Sequence, residues 1–445
     1  MVNWSKLPDL VAVALLTSAF ASVARRGQPT LSSRWLLGWA MIMIHFGAFL
    51  FVGAPGLAGN LANLVGLASL AWAGMLFTWA AVPYRNRRSS LAIFLALVTV
   101  SALYLAILVF GPAGAPALNL VAPLFGALPL AIALAVVRRF NHPLRWTLVS
   151  LYLVLSVFLV SAQNRGPNGA AIAVNALFFT VYLGCAIQFW HAYPRATTGA
   201  FITIAGFFAW ASVFIVGPFL GSYFPGIHLE SEMWNLPKYV VAVGMILLLL
   251  EDQIEHNKYL ALHDELTGLP NRRLFQDRLA TTLERSRRSG SQTALLLIDL
   301  DDFKQVNDSV GHHVGDELLK RVGAMFLGRI RRSDTVARTG GDEFSVILEE
   351  PMSRADAVRV GRSLSQLLEE PFEVNGHTVH VGASVGIAVF PDDASDAESL
   401  CIAADLRMYA GKHAAKAKGA AEPQRPFRPG SVPAPEPRTG LQLAE

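Results

Sequence analysis

Two acidic clusters in the second half of the sequence could do chemistry on a charged ligand. Asp342 and Glu343 follow Gly340 and Gly341, and Asp299 and Asp301 alternate at the end of an apolar run that begins at Ala294. Adjacent carboxylates repel unless a cation or a proton is shared between them. Their hard oxygens suit Mg2+. A Gly-Gly turn has no side chains to hold a ligand away, so its N–H groups can face phosphate oxygens. The residue types therefore indicate a divalent metal and a phosphate-bearing ligand. Taken alone, the seven residues Arg338–Phe344 would also suit an ordinary solvated acidic hairpin.

The elements that must position these groups can be read from the flanking residues. Thr335–Ala337 and Phe344–Leu348 are β-formers on either side of Gly340-Gly341, which predicts a hairpin with positive φ at the glycines. Ala294–Asp299 reads as a buried central strand. A helix opens at Gly315 and reaches about Ile330, with Leu318, Leu319, Val322, Met325 and Phe326 on its buried face. Ser353–Leu368 reads as another helix, Phe372–Val381 as a hairpin around Asn375-Gly376, Ala383–Ala388 as a strand and Glu398–Lys416 as a closing helix. Such alternation over about 160 residues predicts an α/β sandwich.

Six blocks give this half a family likeness. They are Asp264–Arg273, Asp299–Asp308, Gly311–Asp316, Arg338–Phe344, Ser384–Ala388, and Ala404-Asp405 with Met408-Tyr409. In this order, over about 260–418, they resemble the GGDEF family, the diguanylate cyclases. The resemblance implies a nucleotidyl-cyclase-like fold with a ferredoxin-like core, and condensation of two GTP into cyclic di-GMP and pyrophosphate by a homodimer. It makes Asp299, Asp342 and the Leu300 carbonyl ligands of Mg2+ (or Mn2+), with Glu343 a further ligand or the base that activates the 3′-hydroxyl. Lys304 and Lys412 would contact the triphosphate, and Asn307 and Asp316 the guanine. The guanine edge offers N–H donors to a carboxylate and O6 to an amide, whereas adenine presents the wrong pattern. Arg331 and Asp334, with Arg362, match an inhibitory site for the product. The closing helix departs from the family pattern: Gly411 precedes Lys412, and Lys416 keeps a positive charge where Gly-Arg is usual. The alternative reading is a catalytically silent receptor that binds cyclic di-GMP at Arg331 and Asp334. A transporter with a regulatory domain is disfavoured by the few polar residues in the first half.

That first half explains the composition. Of 445 residues, 53% are hydrophobic and 16% charged, against about 25% charged in soluble domains, and the mean hydropathy is +0.41. Apolar runs at about 8–24, 35–53, 61–82, 91–110, 117–137, 146–162, 171–190, 200–220 and 237–250 are near the ~20 residues that cross a bilayer as a helix. The first and last are short, so eight is the alternative count. Arg25, Arg26, Arg34, Arg85, Arg87, Arg88, Arg138, Arg139, Arg145 and Arg195 fall in alternate loops; Arg165 and Lys238 are the exceptions. The positive-inside rule then places the N-terminus outside and the second half in the bacterial cytoplasm, below the inner membrane. The pI near 9.1 reflects these topology signals rather than nucleic-acid binding. A cleaved leader is the rival for the first run, disfavoured by Asp9.

Within the spans, His45, Asn63 and Asn175 are expected to hydrogen-bond between helices or line a polar cavity. Trp35, Trp39, Trp79, Trp146 and Trp190 are expected to form an interfacial belt. Cys185 and Cys401 lie in different halves and suggest no disulfide framework. Glu251–Leu260 contains no Gly or Pro, so the last helix should continue as a linker over 251–262, with 3,4-spaced Leu247, Leu250, Ile254, Asn257 and Ala261 suiting a dimer seam. The expected organisation is a membrane domain at 1–250, that linker, a cyclase domain at 263–420 and a Pro-rich disordered tail at 421–445.

Overall fold

The computed structural model describes residues 2–24, 29–81, 87–112, 115–135, 143–163, 168–195, 197–224, 231–349 and 353–419. The chain forms two compact units, Met1–Glu255 and His256–Glu445. The first is helical: α1 (Leu7–Ala24), α2 (Pro29–Phe49), α3 (Leu57–Ala80), α4 (Arg87–Phe110), α5 (Pro116–Val121), α6 (Leu124–Ala135), α7 (Pro143–Gln163), α8 (Gly169–Ala192), α9 (Thr198–Tyr223) and α10 (Ser231–Leu262). Among the described residues, seven helices are long and apolar enough to cross a membrane. Two further expected spans coincide with α2 and α7, and the apolar part of α7, Trp146–Ala162, is shorter. The run expected at 117–137 is interrupted between α5 and α6, where Pro123 supplies no backbone N–H.

Side chains inside this unit correct one expectation. Trp35 and Trp39 are fully buried in the helix bundle, stacked or tilted against Phe189 and Phe77, so they are core residues and not members of a belt. Position near a span end could not distinguish the two roles, because the neighbours that cover these rings come from distant helices. Trp190, by contrast, is exposed. His45 bonds through Nδ1 to the Gly66 carbonyl at 2.8 Å, joining α2 to α3. Asn175 instead donates to Ala171 on its own helix. Gln253 and Glu251 of α10 bond to the Val23 carbonyl and the Gly199 N–H, fixing this stretch of α10 within the unit. Arg25, Arg26, Arg85, Arg138, Arg139, Arg165 and Glu230 lie outside the described residues, as do the side chains of Arg87, Arg88, Arg145 and Glu232 and the whole of 420–445.

The second unit is an antiparallel sheet covered on both faces. Its elements are α11 (Arg272–Ser289), β1 (Thr293–Asp301), α12 (Phe303–Val310), α13 (His312–Arg329), β2 (Thr335–Arg338), β3 (Glu343–Leu348), α14 (Arg354–Gln366), the hairpin β4 (Phe372–Val374) and β5 (His377–Val379), β6 (Gly382–Phe390) and α15 (Ala397–Gly419). The sheet order is β2-β3-β1-β6 with every pair antiparallel, the ferredoxin-like arrangement. Alternation along β1 sends Leu296, Ile298 and Leu300 into one core with Val322, Phe326 and Leu364, while Leu295 enters the other with Phe275, Leu279, Leu400 and Ala404. Asn375 and Gly376 turn the β4–β5 hairpin with φ of 51° and 83°, as an Asn-Gly pair should.

Asp393 clamps three elements. Its carboxylate accepts 2.7 Å bonds from Arg407 of α15, Arg354 of α14 and the Val389 N–H of β6. The Arg407 hydrogen bond foremost, with those from Val389 and Arg354, holds this carboxyl well below the usual range against burial, which pushes it up. A carboxylate depressed in the folded state contributes stability that is present above its unfolded pKa of about 4 and lost as pH falls through the folded value. Both arginines remain partly exposed, which screens the pairs. Asp393→Ala is therefore expected to cost roughly 2 kcal/mol near neutral pH, about 4–8 °C in melting temperature. The gap to wild type should shrink below about pH 4, as followed by thermal unfolding of the full chain in detergent. A gap independent of pH would remove the charge from the explanation.

Candidate active site

The Gly-Gly hairpin is built differently from the expected tight turn. Neither Gly340 nor Gly341 has positive φ. The last strand pair is Arg338 with Phe344, and the Thr339 and Gly340 N–H groups both reach back to the Glu343 carbonyl, at 3.0 and 3.4 Å. Gly340 leaves space for a neighbour: a Cβ there would lie 2.4 Å from Oε2, the free end of the Glu343 side chain. The Glu343 side chain thus folds over a residue that has none. Gly340 N–H points into the turn, which leaves Gly341 N–H as the glycine donor without a bond among the described residues.

Arg338 braces the turn. Its Nε and Nη2 donate to the Gly341 carbonyl at 3.1 and 2.6 Å, and its Nη1 reaches both oxygens of Asp264 at 3.0 and 3.1 Å. Asp264 also accepts from the Thr267 N–H and hydroxyl. Burial works to raise the Asp264 carboxyl, but the bonds from Thr267 and Arg338, with the Arg338 charge, hold it below the usual range. Arg338 and Asp264 stood inside the quoted blocks without an assigned role. Their pairing spans 74 positions, and only the chain path of the folded unit reveals it.

The acidic groups converge on one face. Asp299 of β1 pairs in register with Glu343 of β3, and the Leu300 N–H donates to the Asp342 carbonyl at 3.2 Å. Alternation puts Asp299, Asp301 and Glu343 on the face covered by α11 and α15. Lys412 of α15 donates from Nζ to Asp299 Oδ1 at 2.5 Å. That hydrogen bond first, then the charges of Asp299, Asp301 and Asp342, outweigh burial and raise the Lys412 ammonium. Burial raises the Asp301 carboxyl above the usual range despite the Ser384 hydroxyl bonded to it at 2.8 Å. Among the described residues no three acidic, histidine or cysteine side chains form a ready metal cage. Mg2+ is held by one or two carboxylates and by substrate phosphates rather than by an all-protein cage. Asp299, Asp342 and the carbonyl of Leu300 fit that mode, and the Lys412 ammonium already seated on Asp299 shows that the spot attracts a cation.

The next turn carries more of the expected site residues. Asp302 adopts the left-handed conformation (φ 57°) and swings the chain from β1 into α12, a region that Asp tolerates better than most residues. This short helix was not anticipated from the sequence; it carries Lys304, exposed, and Asn307. Asn307 Oδ1 is buried without a hydrogen-bond partner and would lie 1.9 Å from a Cβ at position 315. Gly315 therefore makes room for an amide whose acceptor is left open. Asp316 is exposed one residue on. Arg331 and Arg362 are exposed, whereas Asp334 has structural work: its oxygens accept from the N–H groups of Arg331 and Glu349 at 3.0 and 3.1 Å. The Lys416 side chain lies outside the described residues.

The second half of the chain is similar to known proteins. The family model described as diguanylate cyclase, GGDEF domain, matches residues 261–418. The bifunctional diguanylate cyclase/cyclic di-GMP phosphodiesterase MucR of Pseudomonas aeruginosa is 37% identical over 220 residues, 45% of this chain and 32% of MucR. Diguanylate cyclase TpbB of the same species is 39% identical over 198 residues, 44% of this chain and 43% of TpbB. A solved structure comprising only the GGDEF domain of TpbB is 40% identical, with 34% of this chain and 89% of that one aligned at a TM-score of 0.33. Through residues 261–418 the chain belongs to the GGDEF family. It spans less than half the length of either curated relative.

Proposed function

We propose that this protein is a membrane-bound diguanylate cyclase that joins two GTP into cyclic di-GMP with release of pyrophosphate. The observation that carries the reading is the register of Asp299 against Glu343, beside Asp342 and under the Lys412 ammonium. Asp299, Asp342 and the Leu300 carbonyl would hold Mg2+, with Glu343 able to join them. When bound, the ion supplies charge neutralisation at the phosphoryl oxygens. Glu343 would take the proton of the 3′-hydroxyl as that oxygen bonds to the α-phosphorus of the second GTP and the bond to pyrophosphate breaks. Lys304, Lys412 and Lys416 would bind the triphosphate, the Gly341 N–H would face a phosphate oxygen, and Asn307 and Asp316 would read guanine.

Each unit would hold one GTP, so turnover needs two chains facing each other. This makes a homodimer the working form and gives the lipid-embedded unit a means of control. In this reading the N-terminus lies outside the inner membrane and the GGDEF domain in the cytoplasm. Arg331 and Arg362, with the turn held by Asp334, would take product as an inhibitor.

The test is turnover of GTP by the purified full chain in detergent with Mg2+, following cyclic di-GMP. Product is expected from wild type, and Lys412→Met should raise the KM for GTP about tenfold, as loss of a phosphate-binding charge does. No product under these conditions, with tight cyclic di-GMP binding that Arg331→Ala abolishes, would replace the enzyme by a receptor.

A further inference from the structure

The helical unit contains a cavity of about 250 Å3 that the cyclase chemistry does not use. His45 of α2, Asn175 and Phe178 of α8, Trp210 and Phe214 of α9, and Trp234, Asn235 and Lys238 of α10 contribute to its wall. Lys238 is 7% exposed. A buried ammonium is costly unless paired. Its one hydrogen bond among the described residues goes to the neutral Asn235 Oδ1, and its remaining neighbours are the rings of Phe46 and Trp210, at 4.7 and 5.8 Å from their centroids. Among the described residues, no acidic side chain lines the cavity. Asp9 is itself buried and acts on this charge; its Oδ1 accepts from the Tyr239 hydroxyl, and its Oδ2 has no hydrogen-bond partner among the described residues.

A second, independent observation points the same way. Trp210 is fully buried and its indole N–H has no acceptor among the described residues. An ammonium with no carboxylate bonded to it and an indole N–H with no acceptor, on two residues that line one cavity, suit an anionic oxygen group. Phe49, Phe178, Phe214 and Trp234 supply an apolar and aromatic remainder. The volume is below the roughly 300–1,000 Å3 of pockets for drug-sized ligands, which restricts the guest to about one ring.

From these features we infer that the cavity binds a small organic carboxylate with a single-ring apolar body. The carboxylate is placed at Lys238 and Trp210, and the ring lies among the aromatic side chains. His45 gives its Nδ1 to the Gly66 carbonyl, so it acts as a donor there and shapes the wall.

The probe is 4-fluorobenzoate, titrated against the full chain in detergent and read by 19F NMR, with 4-fluorobenzamide as the neutral counterpart. Saturable binding of the acid is expected, at least tenfold tighter than the amide, and at least tenfold weaker in Lys238→Met. The comparison of acid with amide uses wild-type protein only, so it stands even if the variant folds poorly. Absence of saturable binding, equal binding of acid and amide, or full binding by a folded Lys238→Met would each overturn the assignment.

Discussion

Glu343→Gln is expected to lower cyclic di-GMP formation by roughly 10²–10⁴-fold, the range a positioned general base supplies. The side chain is exposed at the start of β3 and lies against Gly340, and it spans no buried ion pair. Its loss should therefore leave folding stability within about 0.5 kcal/mol. In the proposed reaction GTP affinity should also change little, since the variant keeps Lys304 and Lys412, which would bind the triphosphate. The decisive measurement is the separation of kcat from KM in the full chain, with a melting curve beside it. A variant that keeps more than a tenth of wild-type turnover would assign the proton to another group.

The second large effect concerns a residue that touches no ligand. An added Cβ at Gly386 would sit 2.0 Å from the Ala404 carbonyl oxygen and 2.5 Å from the Met408 N–H nitrogen. Both atoms are backbone of α15, so relief requires moving the helix off β6 rather than turning a side chain. Even Gly386→Ala is expected to cost about 3 kcal/mol, the upper part of the overpacking range, or some 6–12 °C in melting temperature for a unit of this size. Because α15 also carries Lys412, the KM for GTP should rise in the same variant. Unaltered melting and kinetics would mean that the helix is seated less closely than this contact requires.

What the sequence disclosed follows from the range of the interactions involved. β1, β3 and β6 were legible because short runs of apolar β-formers are a local signal, and Asn375-Gly376 because its turn requires positive φ within two residues. The acidic residues of the site were legible through six blocks in order. Gly340 was read for its backbone freedom, whereas its function in the fold is to leave room for Glu343 three residues away. Trp35 and Trp39 were misplaced because the rings that bury them, Phe189 and Phe77, come from other helices. The Arg338–Asp264 pair and the open acceptor of Asn307 beside Gly315 were unreadable for the same reason. Helix α12 was missed because eight residues carry little periodic signal.

The bracing of the hairpin has a mechanical consequence. Asn271 bonds to the carbonyls of Ala261 and Leu262 at the end of α10, the next residues lead into Asp264, and Asp264 grips Arg338, which grips Gly341. From the last turn of the helix to the tip of the hairpin runs a series of short bonds. A torque delivered to that helix end would turn the hairpin with it and leave the spacing of the carboxylates intact. Such a linkage behaves as a crank and not as a spring. In the proposed homodimer, regulation through it would alter how often two sites face each other, changing kcat while each site's grip on its nucleotide stays the same.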